Sequence, residues 1–258
     1  MIIETHAHYD DDRFEQDREE LLSVLPEHGI GVVINSGASV ESTKDTILLA
    51  QKYPHVYAAV GVHPSEISEL DDSFMEWMKE QASSEKTVAI GEIGLDYYWD
   101  KEPEVQANQR YWFGRQLELA REVNLPVIIH SRDAAADTMQ VMKEHDAQNL
   151  KGVIHCYSYS KEMALEFIKM GYYIGVGGVV TFKNAKKLIE TVEAIPLERI
   201  LLETDCPYMA PEPFRGKRNS SLYLPYVVEK IAQIKGISKE EVEKVTEANA
   251  RTLFTRLR

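Results

Sequence analysis

At 258 residues, with 44% hydrophobic and 28% charged side chains, the chain can bury a barrel-sized core, and no apolar run approaches the roughly 20 residues of a membrane span. A formal charge of −13, from 29 basic and 42 acidic residues, disfavours wrapping long duplex DNA, where phosphate neutralisation supplies most of the non-specific affinity, but leaves room for contact with one strand end. Cys156 and Cys206 are too few and too plainly spaced for a zinc or redox motif, and without a basic-then-apolar leader the expectation is a free-thiol cytoplasmic protein.

In chain order, the first run, MIIETHAH, reads as a strand ending in His6 and His8. Asp10, Asp11 and Asp12 follow it and read as a loop and helix-start charge cluster. DREELLSVLPEHG is a helical segment with a glycine stop, followed by the strand-like runs GVVINSG and VYAAVGVHP, the second leading into His63. TVAIGEIGLD carries Glu92 at the end of its AIGE portion. A long helix, QANQRYWFGRQLELAREVNLP, places Trp112, Leu119 and Val123 on one face with Phe113, Leu117 and Ala120 beside it. PVIIHSRD, GVIHCYS, YYIGVGG and ILLETDCPY complete the strand-like set, with His130, His155 and Asp205 at their ends. The loop CPYMAPEPFRGKRNSSLY is long and irregular, as functional loops often are. The helix SKEEVEKVTEANARTLF opens with Ser238 and Glu241 in capping-box spacing. The strand-like runs lack strict alternation, which marks strands buried on both faces of a parallel sheet. Eight strand-plus-helix units over this length predict a single-domain (β/α)8 TIM-type barrel of the α/β class rather than an open doubly wound sheet.

The C-terminal rim of such a barrel carries its chemistry, and His6, His8, His63, His130 and His155 all fall there, whereas His28, His55 and His145 do not. His6 and His8, at i and i+2, project to the same side of a strand. With Glu92 and Asp205 they define a ring of metal-competent side chains: His6, His8, Glu92, His130, His155 and Asp205. Imidazole and carboxylate together suit zinc, manganese or iron, and magnesium less comfortably. Six donors exceed the need of one tetrahedral ion, so two divalent ions bridged by Glu92 are the economical expectation. Taken singly, each has a plainer reading as a hydrogen-bonded strand-end histidine, a helix cap or a solvated rim charge.

The motifs ETHAHYDD, VGVHP, AIGEIGLDYYWD, LPVIIHSRDA, GVIHCYS, ETDCPYMAP and RGKRN, in that order over nearly the whole chain, resemble those of the TatD-like metal-dependent hydrolases, a branch of the amidohydrolase-like barrels. The resemblance implies a TIM-type barrel, a divalent-metal site (zinc, manganese, magnesium, iron or nickel) and phosphodiester hydrolysis, described in the family as 3′-to-5′ DNA exonuclease activity. It implies that His6 and His8 ligate one ion, His130 and His155 the other, that Glu92 bridges, and that Asp205 is a ligand beside the attacking water. It also places His63 near the scissile phosphate. Two departures stand out: Glu4 where the family commonly has aspartate before Thr-His, and Ser220 and Ser221 where many members continue Glu-Pro after RGKRN.

On this reading Asp205 is the base, Glu92 and His63 complete the catalytic set, and the substrate is a DNA strand or end, or another phosphodiester. His63 with Arg215 and Arg218 forms the expected substrate contacts, Lys217 lying between the arginines. For His63 a strand-ending role before Pro64 stands beside the catalytic one, and for the loop arginines a solvated charged loop does. Arg132 is either a rim-orienting residue or an exposed arginine. Phe214, Tyr97, Tyr98 and Trp99 are candidates for stacking on bases or for lid packing. No lysine ends a strand-like run, which disfavours the carboxylated-lysine bridge of many amidohydrolases. The alternative activity on the same barrel is a metal-dependent deacylase or other ester or amide hydrolase. No membrane association is expected, and a monomer is the favoured assembly.

Overall fold

The Val- and Ile-rich runs form eight strands in a computed structural model that describes residues 1–258. They are β1 (Ile2–Ala7), β2 (Ile30–Ser36), β3 (Val56–Val60), β4 (Thr87–Asp96), β5 (Val127–Arg132), β6 (Gly152–Ile154), β7 (Tyr173–Val176) and β8 (Ile200–Leu202). Each pairs in parallel with the next, in the order β1 to β8. The circle closes at its C-terminal end, where Ala7 bridges Cys206. There His8 N–H donates to the Cys206 carbonyl at 2.8 Å and Asp205 N–H to the His6 carbonyl at 3.0 Å. The expected (β/α)8 barrel is therefore the observed fold.

Nine helices follow or flank the strands: α1 (Arg18–Val24), α2 (Val40–Lys52), α3 (Asp72–Gln81), α4 (Pro103–Glu122), α5 (Ala135–Glu144), α6 (Lys161–Lys169), α7 (Lys186–Ala194), α8 (Leu224–Lys235) and α9 (Lys239–Leu253). A helix cannot accommodate Pro26 in its interior, so α1 stops short and Pro26–His28 forms a separate 3-10 turn before left-handed Gly29. The segment expected as one helix is thus two pieces. In α4, Phe113, Leu117 and Ala120 are buried, as is Leu119 of the neighbouring face, while Trp112 and Val123 of that face are only half-buried. Ser238 caps α9 as its spacing predicts, its Oγ accepting the Glu241 N–H at 3.1 Å.

Two apolar cores result. A cluster of 57 buried residues fills the layer between strands and helices. A second, of 15, draws residues from all eight strands and so fills the barrel interior; Ala250, Leu253, Phe254 and Leu257 close it from the α9 side. The polar cluster at the C-terminal mouth lies outside both.

Candidate metal centre

Glu92 stands inside β4 rather than at its end, four residues before the strand finishes at Asp96. The β4–β5 register shifts between Ile90 and Ile93, a local irregularity of the kind that re-aims a side chain beside a site. The two strands also approach closely: at Gly94, with φ +147°, an added Cβ would fall 1.9 Å from the His130 carbonyl oxygen. Only glycine allows that approach, and it sets His130 beside Glu92. β6 and β8 are short, so His155 and Asp205 lie just past their ends. Asp205 and Cys156 adopt left-handed backbones, φ +57° and +44°, a conformation that side chains other than glycine hold only when their surroundings enforce it.

The six ring residues converge. Glu92 Oε2 lies 3.3 Å from His6 Nε2 and 3.5 Å from His8 Nε2. Its other oxygen, Oε1, lies 2.8 Å from His130 Nδ1 and 2.7 Å from His155 Nε2. Asp205 Oδ1 completes the first group, 3.6 Å from His6 Nε2 and 3.5 Å from His8 Nε2. Ligands held 2.0–2.2 Å from a tetrahedral ion stand about 3.4 Å apart, and these separations surround that value. The outer nitrogens of His6, His8 and His130 are committed in a way that frees the inner ones, while that of His155 is buried without a partner. His8 Nδ1–H donates to the Ser36 carbonyl at 2.9 Å and His130 Nε2–H to Asp96 Oδ2 at 3.1 Å, while His6 Nδ1 shares a 3.2 Å hydrogen bond with Ser36 Oγ. Such outer partners fix the tautomer that leaves a lone pair inward. Three overlapping donor groups result: His6, Glu92 and His155; His6, His8 and Asp205; His63, Glu92 and His130. The residues present fit divalent metal.

His63 differs from the rest. It follows β3 as the cap of a 3-10 turn, and its Nδ1 accepts the Ser65 N–H at 3.2 Å. An imidazole that accepts on one nitrogen carries its proton on the other, so Nε2, 3.7 Å from Glu92 Oε1, faces the cavity as a donor.

Electrostatics follow from burial and crowding. Burial pushes His6 down to about 4, reinforced by His155, and His63 down to about 3, reinforced by His130. Burial alone would lower His130 as well, but Asp96 and Glu92 raise it to about 9. His8 is likewise raised, by Asp205 and Glu92 against burial. Burial would raise Glu92, yet the charges of His155, His63 and His6 hold it well below the usual carboxylate range.

Three acids outside the ring support it. Asp96 orients His130. Glu203, fully buried, reaches across the Gly175 position of β7, where an added Cβ would fall 2.3 Å from its Oε2, to accept the Cys156 N–H beside His155. Glu4 does not enter the site: Oε1 accepts from Thr204 N at 2.9 Å and His6 N at 3.2 Å, and Oε2 from Thr204 Oγ1 at 2.6 Å and Ser221 Oγ at 2.9 Å. Alternation in β4 (Glu92, Gly94, Asp96) and past β8 (Glu203, Asp205) is the signal that points to Asp96 and Glu203.

The ring opens into a cavity of about 940 Å³ lined also by His63, Arg132, Trp99, Asp10 and Tyr208. The predicted substrate loop sits differently. Arg218 turns away to Asp17 (2.8 Å) and the Arg13 carbonyl (2.7 Å), and Arg215 lies over the Phe182 ring at 4.3 Å; neither lines the cavity. Phe214 stacks on Tyr223, and Tyr97 O–H donates to Asp137, so both take the packing role. Of the four aromatics, Trp99 alone lines the cavity, two-thirds exposed at 67%. Asp10 and Asp11 both line the cavity; Asp11 also caps a 3-10 turn, and Asp10 receives Asn35 Nδ2–H at 2.7 Å and Ser42 Oγ–H at 2.6 Å.

A parallel barrel with imidazole and carboxylate donors gathered at its C-terminal mouth defines the metal-dependent hydrolase class of TIM barrels. A family model described as TatD related DNase matches residues 3–255, and the chain belongs to the TatD family of metal-dependent hydrolases. It is 42% identical over 254 residues to YabD of Bacillus subtilis, described as an uncharacterized metal-dependent hydrolase, with 98% of this chain and 99% of that one covered. YcfH of Escherichia coli, described in the same words, is 34% identical over 98% of this chain and 96% of its own length. The crystal structure of the E. coli TatD homolog YjjV superposes with a TM-score of 0.92, at 33% identity and 98% coverage of both chains.

Proposed function

We propose that this protein is a phosphodiesterase that shortens DNA strands from their 3′ ends with two divalent ions. The observation that carries the reading is the division of Glu92, one oxygen toward His6 and His8 and the other toward His130 and His155. In this reading His6, His8, Asp205 and Glu92 hold one ion, and Glu92, His130 and His155 the other. Bound there, the ions would supply Lewis acidity to the phosphoryl oxygens and acidify the attacking water.

The chain's own groups supply the rest. Burial would raise Asp205, but the hydrogen bond from His8 and the neighbouring imidazoles hold it below the usual range, so it is ionised and accepts the proton of the attacking water. His63 donates a hydrogen bond from Nε2–H to a non-bridging phosphate oxygen; its low affinity for a second proton suits that role better than protonating the leaving oxygen. The family model's DNase description supports DNA as substrate, and the acidic surface fits contact with a strand end rather than a long duplex.

The test is incubation of metal-loaded protein with single-stranded oligonucleotides carrying a label at the 5′ end. A descending ladder is expected. Intact oligonucleotide, with acyl release from an aminoacylated strand instead, would replace this reading by the deacylase.

A further inference from the structure

Most arginines near the barrel mouth have acidic partners: Arg13 pairs with Asp11, Arg110 with Asp137 and Arg218 with Asp17. Arg132, the last residue of β5, has none. Asp96, its neighbour in the β4–β5 register, spends Oδ2 on His130 and Oδ1 on the Tyr98 and Trp99 N–H groups. Asp100 Oδ2 accepts from Gln109, and Asp137 Oδ2 takes Tyr97 O–H and Arg110. Without an ion pair, the guanidinium is held by stacking. Its carbon sits 3.9 Å from the Tyr98 ring centre and 5.6 Å from that of Trp99.

Arg132 is also the one lysine or arginine that lines the cavity. A half-buried guanidinium with unspent donors, oriented on an aromatic face, is prepared for a bidentate anion. It stands two residues beyond His130 on one strand, about 7 Å further toward the mouth. Its backbone position therefore lies outward of the metal donors along the strand.

We propose that Arg132, seated on Tyr98, forms a subsite for a second anionic group of the substrate, outward from the metal donors. The subsite rests on the phosphodiesterase reading for the first group and deepens it. The preferred substrate carries two phosphates one nucleoside apart, so a phosphate flanking the cleaved bond contributes to recognition.

Calorimetric titration of metal-loaded protein with thymidine 3′,5′-bisphosphate, and with the 3′- and 5′-monophosphates, tests this without requiring turnover. The bisphosphate should bind at least about tenfold more tightly than either monophosphate. Arg132→Ala should reduce that advantage to less than about threefold, and Arg132→Lys, which keeps charge but loses the planar fork, should fall between. An unaltered protein without preference, or a preference that survives Arg132→Ala, overturns the subsite. If the preference behaves as expected while oligonucleotides stay intact, the subsite stands and the nuclease reading falls.

Discussion

What separates His63 from His6, His8 and His130 is the partner on its far nitrogen, a backbone N–H instead of an oxygen (the far nitrogen of His155 has no partner). That single difference turns a lone-pair donor into a hydrogen-bond donor. Asp96 acts through the same logic, and Asp96→Asn should weaken metal binding about 10–100-fold, read by competition with a chromophoric chelator. Asp205→Asn should lower hydrolysis at least about 100-fold while leaving the melting transition in place, since it removes a base from the mouth and nothing from either core. Protons are linked to the metal as well. In the metal-free protein His130, at about 9, and His8, also raised, are protonated at neutral pH, and a cation must displace those protons. Metal affinity should therefore climb as pH rises toward about 9, and calorimetry in buffers of different ionisation enthalpy should show proton release; identical heats would refute it. His6, His8, His130, His155 and Asp205 were legible in the sequence because each stands at or near a strand end, and Glu92 because its AIGE run ends there although the strand does not. Asp96 and Glu203 were not, because β4 runs on past Glu92 and because a supporting carboxylate has the same letter as a surface one.

At the level of elements, the eight strands could be read directly, since runs of Val and Ile too continuous for a half-exposed sheet have few other uses. Helix faces were less clear. In α4 two adjacent apolar stripes compete, and contact with the barrel, not spacing, selects Phe113, Leu117 and Ala120, with Leu119 from the other stripe. Loop direction was hidden altogether: Arg218 is spent on Asp17, a partner 201 positions away in the chain. The last element does work that its amphipathic pattern alone does not reveal, plugging the interior with Phe254, which is fully buried. Phe254→Ala should destabilise the fold by about 3–5 kcal/mol, measured by denaturant unfolding. Metal affinity should be retained, because Phe254 does not line the cavity. A matching loss of metal would show that the two ends of the barrel are coupled.

For the whole molecule, both apolar cores lie apart from the metal donors, so chelation should leave the far-ultraviolet circular dichroism unchanged. The melting temperature should nonetheless drop, by about 5–15 °C for ions present at 100 to 1,000 times their dissociation constants. Collapse of the secondary structure on chelation would mean that the donors, not the cores, hold the barrel. The closure between β1 and β8 bears on this. It is made at the mouth by backbone bonds from His8 to Cys206 and from Asp205 to His6, so residues that offer side chains to an ion also tie the first strand to the last. No short connection backs that junction, as one does between successive strands. An ion held by His6, His8 and Asp205 would rivet the two ends of the chain together, and its escape and the parting of the barrel would share one barrier.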